Sequence, residues 1–361
     1  MSESAATGRP AGTSAVLLAH GRYATSYGKT AHGLVRGPSR WPVAAVVDPS
    51  LAGRDAGEAL DGRRRRIPIV ASLSAAEVAS AEPLTHCVVA VATDGGSLPQ
   101  ELKPDLLAAA RRGLTLVNGL HEALADDPEV SSLARRFGGL ILDLRAPRPA
   151  RELRFWSGEV LGLATPRLPV LGTDCTVGKR TTCLALMAAC RRTGLRAEIV
   201  YTGQTGWMQG LEYGFVLDAT PNDFVCGELE AAVLACYHAT RPDLILIEGQ
   251  SALRNPAGPC GAELVLALGA RGVLLQHDPR RTRFEGTSRP LPPLAEEVRL
   301  IELLGASVWA VTLHDGGLAH EVAEAKAAEI EDELGIPVVL PLGGGMDRLV
   351  ALVRAALAEA A

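Results

Sequence analysis

A glycine-rich turn between an apolar strand and a helix is the feature that most constrains the fold of this chain. The turn follows the apolar run Pro169–Gly172 and leads into the predicted helix Lys179–Arg192. In such a turn, consecutive backbone N–H groups converge on an anion, and the helix N-terminus adds a partial positive charge. Lys179 supplies a full charge for terminal phosphates, and a Cβ at Gly178 would crowd them. We therefore predict a phosphate-binding loop made of Gly172, Thr173, Asp174, Cys175, Thr176, Val177, Gly178, Lys179, Arg180, Thr181 and Thr182.

The loop departs from the ordinary Walker pattern in two ways. Five residues rather than four separate Gly172 from Gly178, and Arg180 occupies the place where Ser or Thr usually binds magnesium. Thr181 or Thr182 would have to supply the hydroxyl ligand instead. The residues therefore leave the ligand open between a nucleotide such as ATP with magnesium and a phosphate-bearing carrier such as coenzyme A.

Composition argues against several classes of protein. The chain has 361 residues, which favours two domains, and its net charge of -5 argues against a dedicated nucleic-acid binder. No run approaches the roughly 18 apolar residues of a membrane span, and Met1–Thr13 lacks the basic-then-apolar pattern of a signal peptide. Seven cysteines without a C-x-x-C pair predict reduced, mostly buried thiols. We expect a cytoplasmic protein that binds neither nucleic acid nor membranes.

Apolar, β-branched runs alternate with helix-like segments along the whole chain, which predicts an α/β protein with parallel sheets covered by helices. The predicted strands are Ala15–Ala19, Val43–Asp48, Ile67–Val70, His86–Ala92, Leu114–Val117, Leu140–Leu144, Pro169–Gly172, Ala197–Tyr201, Leu244–Glu248, Val273–His277, Ser307–Leu313 and Pro337–Leu340. The predicted helices are Pro104–Arg112, Lys179–Arg192, Gly227–His238, Leu294–Leu304, Ala319–Leu334 and Met346–Ala358. A segment rich in Pro and Arg after the sixth strand cannot form a regular helix. We therefore predict an N-terminal domain over residues 14–150, a linker over residues 151–168 and a C-terminal domain over residues 169–361.

Polar residues follow the strands of the second half where each strand ends. In an open α/β sheet the ligand lies outside the carboxyl ends of the strands, so these residues are expected to face the phosphate loop. Glu248 ends an apolar strand and could hold magnesium together with Thr181, act as a general base, or only bond the loop backbone. The candidate catalytic residues are Lys179, Glu248, Gln204 and His277, and the candidate substrate contacts are Thr202, Thr205, Asp218, Asp223, Gln250 and Arg254.

The first half carries polar residues at its strand ends but no nicotinamide fingerprint. Lys29, Arg36 and His121 could attract a carboxylated substrate, although solvated or capping positions fit them as well. No G-x-G-x-x-G follows the first strand, so a nicotinamide cofactor is unsupported.

Together these motifs resemble a bacterial P-loop family, formerly known as a domain of unknown function, whose characterised members are D-glutamate N-acetyltransferases. The resemblance covers residues 14–358 and rests on Lys29-Thr30, Val46–Asp48, Ile67–Ser72, Gly119–His121, Ala125–Pro128, Gly172–Thr182, Thr202–Gly206, Asp223-Phe224 and Glu248–Gln250. The second half is also similar to dethiobiotin synthetase, whose phosphate loop has the same Gly-Thr-Asp opening. Trp207–Gly210 and Arg254–Cys260 depart from the usual family pattern, at positions where substrate is expected to bind.

The resemblance implies a Rossmann-like N-terminal domain and a P-loop NTPase-like C-terminal domain. It also implies transfer of an acetyl or other acyl group from coenzyme A to the amino group of an acidic amino acid such as D-glutamate. The loop would then hold the phosphates of acetyl-CoA, and a rim of Gln204, Glu248, Gln250 and His277 would face the amine. Two alternatives stay open: a kinase or ligase that uses ATP and Mg on a small carboxylated substrate, and a regulatory module that senses such a ligand without turnover. An exposed sheet edge would allow a homo-oligomer.

Overall fold

Two units make up the part of the chain that the computed structural model describes, residues 12–360. Unit 1 contains residues 12–147 together with Gln204–Leu211, and unit 2 contains Arg148–Gly203 and residues 212–360. Most of Met1–Thr13, for which we predict no signal peptide, lies outside the described residues. No helix between residues 12 and 360 is long and apolar enough to cross a membrane.

Unit 1 is built on a six-stranded parallel sheet. Its strands are β1 (Ala15–Leu18), β2 (Val43–Val47), β3 (Ile69–Val70), β4 (His86–Val89), β5 (Thr115–Asn118) and β6 (Ile141–Asp143). Its helices are α1 (Lys29–Arg36), α2 (Ala56–Asp61), α3 (Leu73–Ala79), α4 (Lys103–Arg111) and α5 (Pro128–Phe137). The strand order β3-β2-β1-β4-β5-β6 places the switch point of a Rossmann-like sheet between β1 and β4.

The strands of unit 1 form from short, continuous apolar runs. Every residue of β1 is fully buried, because a central parallel strand is covered on both faces and needs no polar alternation. Several helices begin at carboxylate caps. Asp55 accepts hydrogen bonds from the N–H groups of Gly57 and Glu58 at the start of α2, and Asp127 caps α5 in the same way.

Unit 2 is built on a seven-stranded parallel sheet. Its strands are β7 (Arg167–Gly172), β8 (Ala197–Tyr201), β9 (Tyr213–Gly214), β10 (Leu244–Glu248), β11 (Gly272–His277), β12 (Ser307–Leu313) and β13 (Val338–Val339). Its helices are α6 (Lys179–Arg192), α8 (Asn222–Thr240), α9 (Ala262–Leu266), α10 (Leu294–Leu303), α11 (His320–Leu334) and α12 (Met346–Ala360). The order β13-β12-β11-β7-β10-β8-β9 sets β7 between β11 and β10, so the residues that follow these three strands emerge side by side.

One segment from the second half of the sequence packs with unit 1. It contains the short helix α7 (Gln204–Met208) and ends at Leu211. Met208 is fully buried in the unit 1 core, and the Gln209 side chain donates a 2.9 Å hydrogen bond to the Gly33 carbonyl. The Arg40 guanidinium lies 4.4 Å from the Trp207 ring centroid. The chain therefore leaves unit 2 after Gly203 and returns to it at Glu212.

The segment that we predict as a linker, residues 151–168, belongs to unit 2 and is held there by buried carboxylates of α8. Glu228 accepts a 2.8 Å hydrogen bond from the Arg154 backbone N–H. Glu230 accepts hydrogen bonds from the backbone N–H groups of Ser157 and Val160, at 2.6 and 3.1 Å. β7 begins at the end of this segment.

The predicted fold class is confirmed, since each unit is a parallel sheet with helices. Some element ends differ from the prediction. α8 begins at Asn222, directly after Pro221, rather than at Gly227. β4 stops at Val89 because its pairing with β1 stops there. β9 and α7 were not predicted, because two paired residues and a Gln-Thr-Gly-Trp run carry no periodic apolar pattern. The seven cysteines are all unpaired, as predicted.

Candidate functional site

The candidate site lies in unit 2, at the carboxyl ends of β7, β10 and β11. The predicted phosphate loop follows β7, Glu248 ends β10, and His277 ends β11. Because these strands are neighbours in the sheet, residues far apart in the sequence meet around the loop. This is the edge at which open α/β sheets bind their ligands.

The N-terminus of α6 presents backbone donors that no side chain caps. Gly178 is the N-cap residue with a φ of 101°, and it makes no side-chain cap hydrogen bond. That φ favours glycine, which has no Cβ to clash with the backbone. The first N–H groups of an α-helix have no partner within the helix, so in a loop of this kind they are available to an anion.

Lys179 is fixed inside the loop. The residue is only 7% exposed, and its Nζ donates hydrogen bonds of 2.6 and 2.7 Å to the carbonyl oxygens of Asp174 and Ser251. A Cβ on Gly172 would lie 2.9 Å from the Lys179 Cδ, so glycine is needed where the lysine crosses the strand end. The ammonium charge is therefore positioned before any ligand arrives.

Asp174 is the centre of the hydrogen bonds that shape the loop. Its carboxylate is fully buried. It accepts hydrogen bonds from the backbone N–H of Cys175 at 2.7 Å and the amide of Asn255 at 2.9 Å. It also accepts from the Arg281 guanidinium at 2.8 Å and the Glu285 backbone N–H at 2.6 Å. Asp174 therefore joins the loop to two other segments of unit 2.

Arg281 is an important residue that sequence reasoning missed. Besides Asp174, its guanidinium donates to the Cys175 carbonyl at 2.8 Å and to Thr176 Oγ1 at 3.0 Å, and it pairs with Glu285 at 2.7 Å. The available signal was its place shortly after His277, at the end of the strand next to β7. A polar cluster was recognised there, but not this arginine.

Glu248 is buried and both of its carboxylate oxygens are engaged. Arg180 pairs with Oε1 at 3.1 Å, and the backbone N–H of Thr202 donates to Oε2 at 3.2 Å. The Thr202 hydroxyl donates to the Glu248 carbonyl at 2.7 Å and accepts from the Gln250 amide at 3.1 Å. The structure therefore brings together Glu248, Thr202, Gln250 and the start of α6.

His277 contacts the loop as a neutral imidazole. Its Nδ1 lies 3.0 Å from Thr173 Oγ1. Burial lowers the pKa of His277 from 6.5 to about 4, with nearby Asp278 opposing the shift and Arg281 adding to it. At neutral pH His277 therefore carries no charge and is a weak base, which suits a residue that positions the loop.

Replacing His277 by Asn should reduce the fall in the free energy of unfolding that the wild-type protein shows at acid pH. A His with a folded pKa below its unfolded value binds more protons when unfolded, so the free energy of unfolding falls as the pH falls from about 6.5 to about 4. The loss is at most about 3 kcal/mol. Urea denaturation at several pH values, followed by tryptophan fluorescence, measures it. His320→Asn, on exposed α11, is the control; equal pH profiles for wild type and His277→Asn would contradict the assignment.

The hydroxyl groups of the loop are mostly committed to the protein. Thr182 donates a 2.6 Å hydrogen bond to the buried Gln276 side chain, Thr173 contacts His277, and Thr176 donates to Glu285 at 3.2 Å. Thr181 lies partly buried in the first turn of α6. Between residues 12 and 360 no group of three or more His, Cys, Asp or Glu side chains is arranged to hold a metal ion.

The remaining predicted contacts belong to segments other than the phosphate loop. Asp218 and Asp223 are exposed near the start of α8. Arg254 pairs with both Glu296 and Glu297 at 2.6 Å, so its charge is already balanced. The predicted contacts Gln204 and Thr205 belong to α7 and are grouped with unit 1, where Thr205 Oγ1 lies 3.4 Å from Thr30 Oγ1.

In unit 1, two basic residues that follow β1 pair with acidic residues of other helices. His20 Nε2 lies 3.1 Å from an Asp105 carboxylate oxygen, and Arg36 lies 3.6 Å from Asp61. Lys29 opens α1, and His121 follows β5. At these positions Lys29 and His121 could either contact a carboxylated substrate or serve only as solvated or capping residues.

Similarity to known proteins covers both units. Residues 154–350 match the family described as "Domain of unknown function (DUF1611_C) P-loop domain", and residues 49–147 match the one described as "Domain of unknown function (DUF1611_N) Rossmann-like domain". A protein of Tritonibacter scottomollicae named D-glutamate N-acetyltransferase is 31% identical over 77% of this chain and 83% of its own. A Pseudoalteromonas protein of the same name is 28% identical over 73% of this chain and 80% of its own.

A solved structure agrees with this assignment. The crystal structure of a DUF1611 family protein from Anabaena variabilis superposes with a TM-score of 0.86 and is 31% identical. The match covers 94% of this chain and 99% of that one. The resemblance of the second half to dethiobiotin synthetase stays a prediction. The chain belongs to the DUF1611 family, with its Rossmann-like N-terminal domain and its P-loop C-terminal domain.

Proposed function

We propose that this protein is an N-acyltransferase that moves an acetyl group from acetyl-coenzyme A to the amino group of D-glutamate. The observation that carries the proposal is a P-loop with Lys179 in place but with Arg180 and Glu248 paired where a magnesium site would be. Such a loop suits the phosphates of an acyl carrier better than a Mg-nucleotide. The names of the two relatives supply the acyl group and the acceptor.

The loop would bind the diphosphate of coenzyme A through three kinds of group. The uncapped N–H groups at the start of α6 point their partial charge at the anion. Lys179 adds an ammonium, and Arg180 adds a guanidinium that is held by Glu248. Asp174 and Arg281 keep the loop in this shape before binding, which lowers the entropy lost when the ligand is ordered.

The chemistry requires a neutral amine and a stabilised carbonyl oxygen. The amine nitrogen attacks the thioester carbon, the C–S bond breaks, and the thiolate leaves and takes up the proton that the amine loses. A base is needed to keep the amino group neutral. Glu248 is poorly suited to this role, because its two carboxylate oxygens accept hydrogen bonds from Arg180 and Thr202. The negative charge that develops on the carbonyl oxygen needs hydrogen-bond donors of its own, since the loop N–H groups and Lys179 bind the diphosphate in this proposal.

The test is acetyl transfer by the purified protein. Release of free thiol from acetyl-CoA should depend on added D-glutamate, and mass spectrometry should find the N-acetylated amino acid in equal amount. L-glutamate, D-aspartate and D-glutamine define the acceptor specificity. Turnover of ATP with magnesium, together with no thiol release for any amino acid, would contradict the proposal and favour a kinase or ligase.

A further inference from the structure

We propose that Arg180 takes the place of magnesium in this phosphate loop, so that the loop binds phosphate esters and diphosphates without a divalent cation. The inference deepens the proposed function, on which it rests for the choice of acetyl-CoA as the ligand. Metal-free phosphate binding itself depends only on the residues around α6.

The residues at the two positions that hold magnesium in P-loop NTPases form an ion pair with each other in this chain. Those proteins use the Ser or Thr that follows the P-loop lysine and an acid at the end of a neighbouring strand. In this chain Arg180 follows Lys179, and Glu248 is the acid that ends β10. Their side chains form an ion pair with a nitrogen–oxygen distance of 3.1 Å.

Glu248 has little capacity left for a metal ion. Its second carboxylate oxygen accepts from the Thr202 backbone N–H at 3.2 Å, and its side chain is only 3% exposed. A magnesium ion at Glu248 would also lie next to the Arg180 guanidinium. The repulsion between these like charges would be strong at such a buried position, where water screens charges less.

The nearby hydroxyl groups offer no good replacement. Thr182 is 2% exposed and donates to Gln276, and the same Gln276 oxygen accepts from Thr312 at 2.7 Å. Thr182 therefore belongs to a buried network rather than to the ligand side of α6. Thr181 could supply a hydroxyl, but its expected carboxylate partner, Glu248, is the one that holds Arg180.

Arg180 has the properties needed to act on phosphate itself. Its side chain is 23% exposed, so it can reach a ligand at the loop surface. A guanidinium has five N–H donors, and the contact with Glu248 uses one of them. Its planar geometry matches two phosphate oxygens at once. Glu248 therefore acts as a positioning residue that orients Arg180.

The experiment compares ligand binding with and without magnesium by calorimetry. Wild-type protein should bind acetyl-CoA with the same dissociation constant, within about twofold, in EDTA and in excess Mg²⁺. Arg180→Thr, which restores the Walker hydroxyl, should bind about 10- to 100-fold more weakly in EDTA, the range expected when a charge-assisted hydrogen bond is lost. Added Mg²⁺ should recover part of that loss in Arg180→Thr only.

Two further variants keep the test interpretable. Arg196→Thr removes an arginine from an exposed ion pair with Asp243 and should leave the dissociation constant unchanged. Glu248→Gln keeps the shape of the acid but releases Arg180, and should also weaken binding of acetyl-CoA in EDTA. This variant provides the test if Arg180→Thr does not fold. Unchanged affinity in both Arg180→Thr and Glu248→Gln would overturn the inference.

The outcomes separate this inference from the proposed function. Acetyl-CoA binding that requires magnesium overturns the inference and leaves the acyltransferase standing. ATP binding in EDTA without acetyl-CoA binding supports the metal-free loop and removes coenzyme A as the donor. ATP binding that requires magnesium, with no acetyl-CoA binding, overturns both.

Discussion

Replacing Lys179 by Ala should weaken acetyl-CoA binding by about 100-fold, the largest effect on affinity expected from a single substitution in the loop. The buried ammonium lies where the phosphates would bind and is held by the carbonyls of Asp174 and Ser251. A hydrogen bond to a charged group contributes up to about 3 kcal/mol, which corresponds to about 100-fold in affinity. Isothermal titration calorimetry measures the change directly.

The control for this variant is Lys326→Ala. Lys326 lies on α11 of the same unit and forms an exposed ion pair with Glu329, which contributes little. Its removal should leave affinity and melting temperature unchanged. Circular dichroism should show that Lys179→Ala keeps its helix content. If folded Lys179→Ala binds acetyl-CoA as tightly as wild type, the loop is not the phosphate site.

Replacing Asp174 by Asn should cause the largest loss of stability of the substitutions considered. The fully buried carboxylate accepts four hydrogen bonds, one of them from the Arg281 guanidinium. An Asn amide would turn a donor toward other donors and leave the arginine without one of its two carboxylate partners. Breaking a buried ion pair on one side costs about 3–5 kcal/mol.

Differential scanning calorimetry checks this expectation. For a unit of this size the cost corresponds to a melting transition lower by about 10 °C. Asp223→Asn, at an exposed position in the first turn of α8, is the matched control and should shift the transition by about 1 °C or less. A shift for Asp174→Asn as small as that of the control would show that the carboxylate does not organise the loop.

The elements that sequence predicted well are those with a local pattern. α6 and β10 have the predicted bounds, because an apolar strand, a Gly-Lys turn and an Ala- and Leu-rich helix are recognisable over a few residues. Strand ends were less accurate, as in β4, because an apolar run does not show where the neighbouring strand stops. The phosphate loop was found for the same local reason.

The site contacts that sequence missed join distant segments. Arg281 and Asn255 meet Asp174 only because β7 lies between β11 and β10, and strand order is not written in any short motif. The pairing of Arg180 with Glu248 depends on the same order. For Glu248 the sequence left a magnesium ligand, a general base and a backbone-bonding carboxylate open, and the fold surrounds its two oxygens with donors from Arg180 and Thr202.

The departure of residues 204–211 to unit 1 was also invisible in the sequence. Gln204 and Thr205 follow a strand end, so strand-end reasoning placed them beside the phosphate loop. The buried side chain of Met208 and the contacts of Arg40 with Trp207 group the segment with unit 1, and the placement of Gln204 and Thr205 beside the phosphate loop stays a prediction. Burial of an apolar side chain places this segment in unit 1, and the polar residues at its start do not predict that burial.

The most direct test of the central claim compares acetyl-CoA with S-acetylpantetheine, which carries the same thioester but no phosphate. If the loop around Lys179 and Arg180 holds the phosphates of the acyl donor, calorimetry in EDTA should show acetyl-CoA binding at least about 100-fold more tightly. In the Lys179→Ala variant, most of this difference in affinity between the two thioesters should disappear. Equal affinity of the wild-type protein for the two thioesters would contradict the account, since the phosphate loop would then contribute nothing to donor binding.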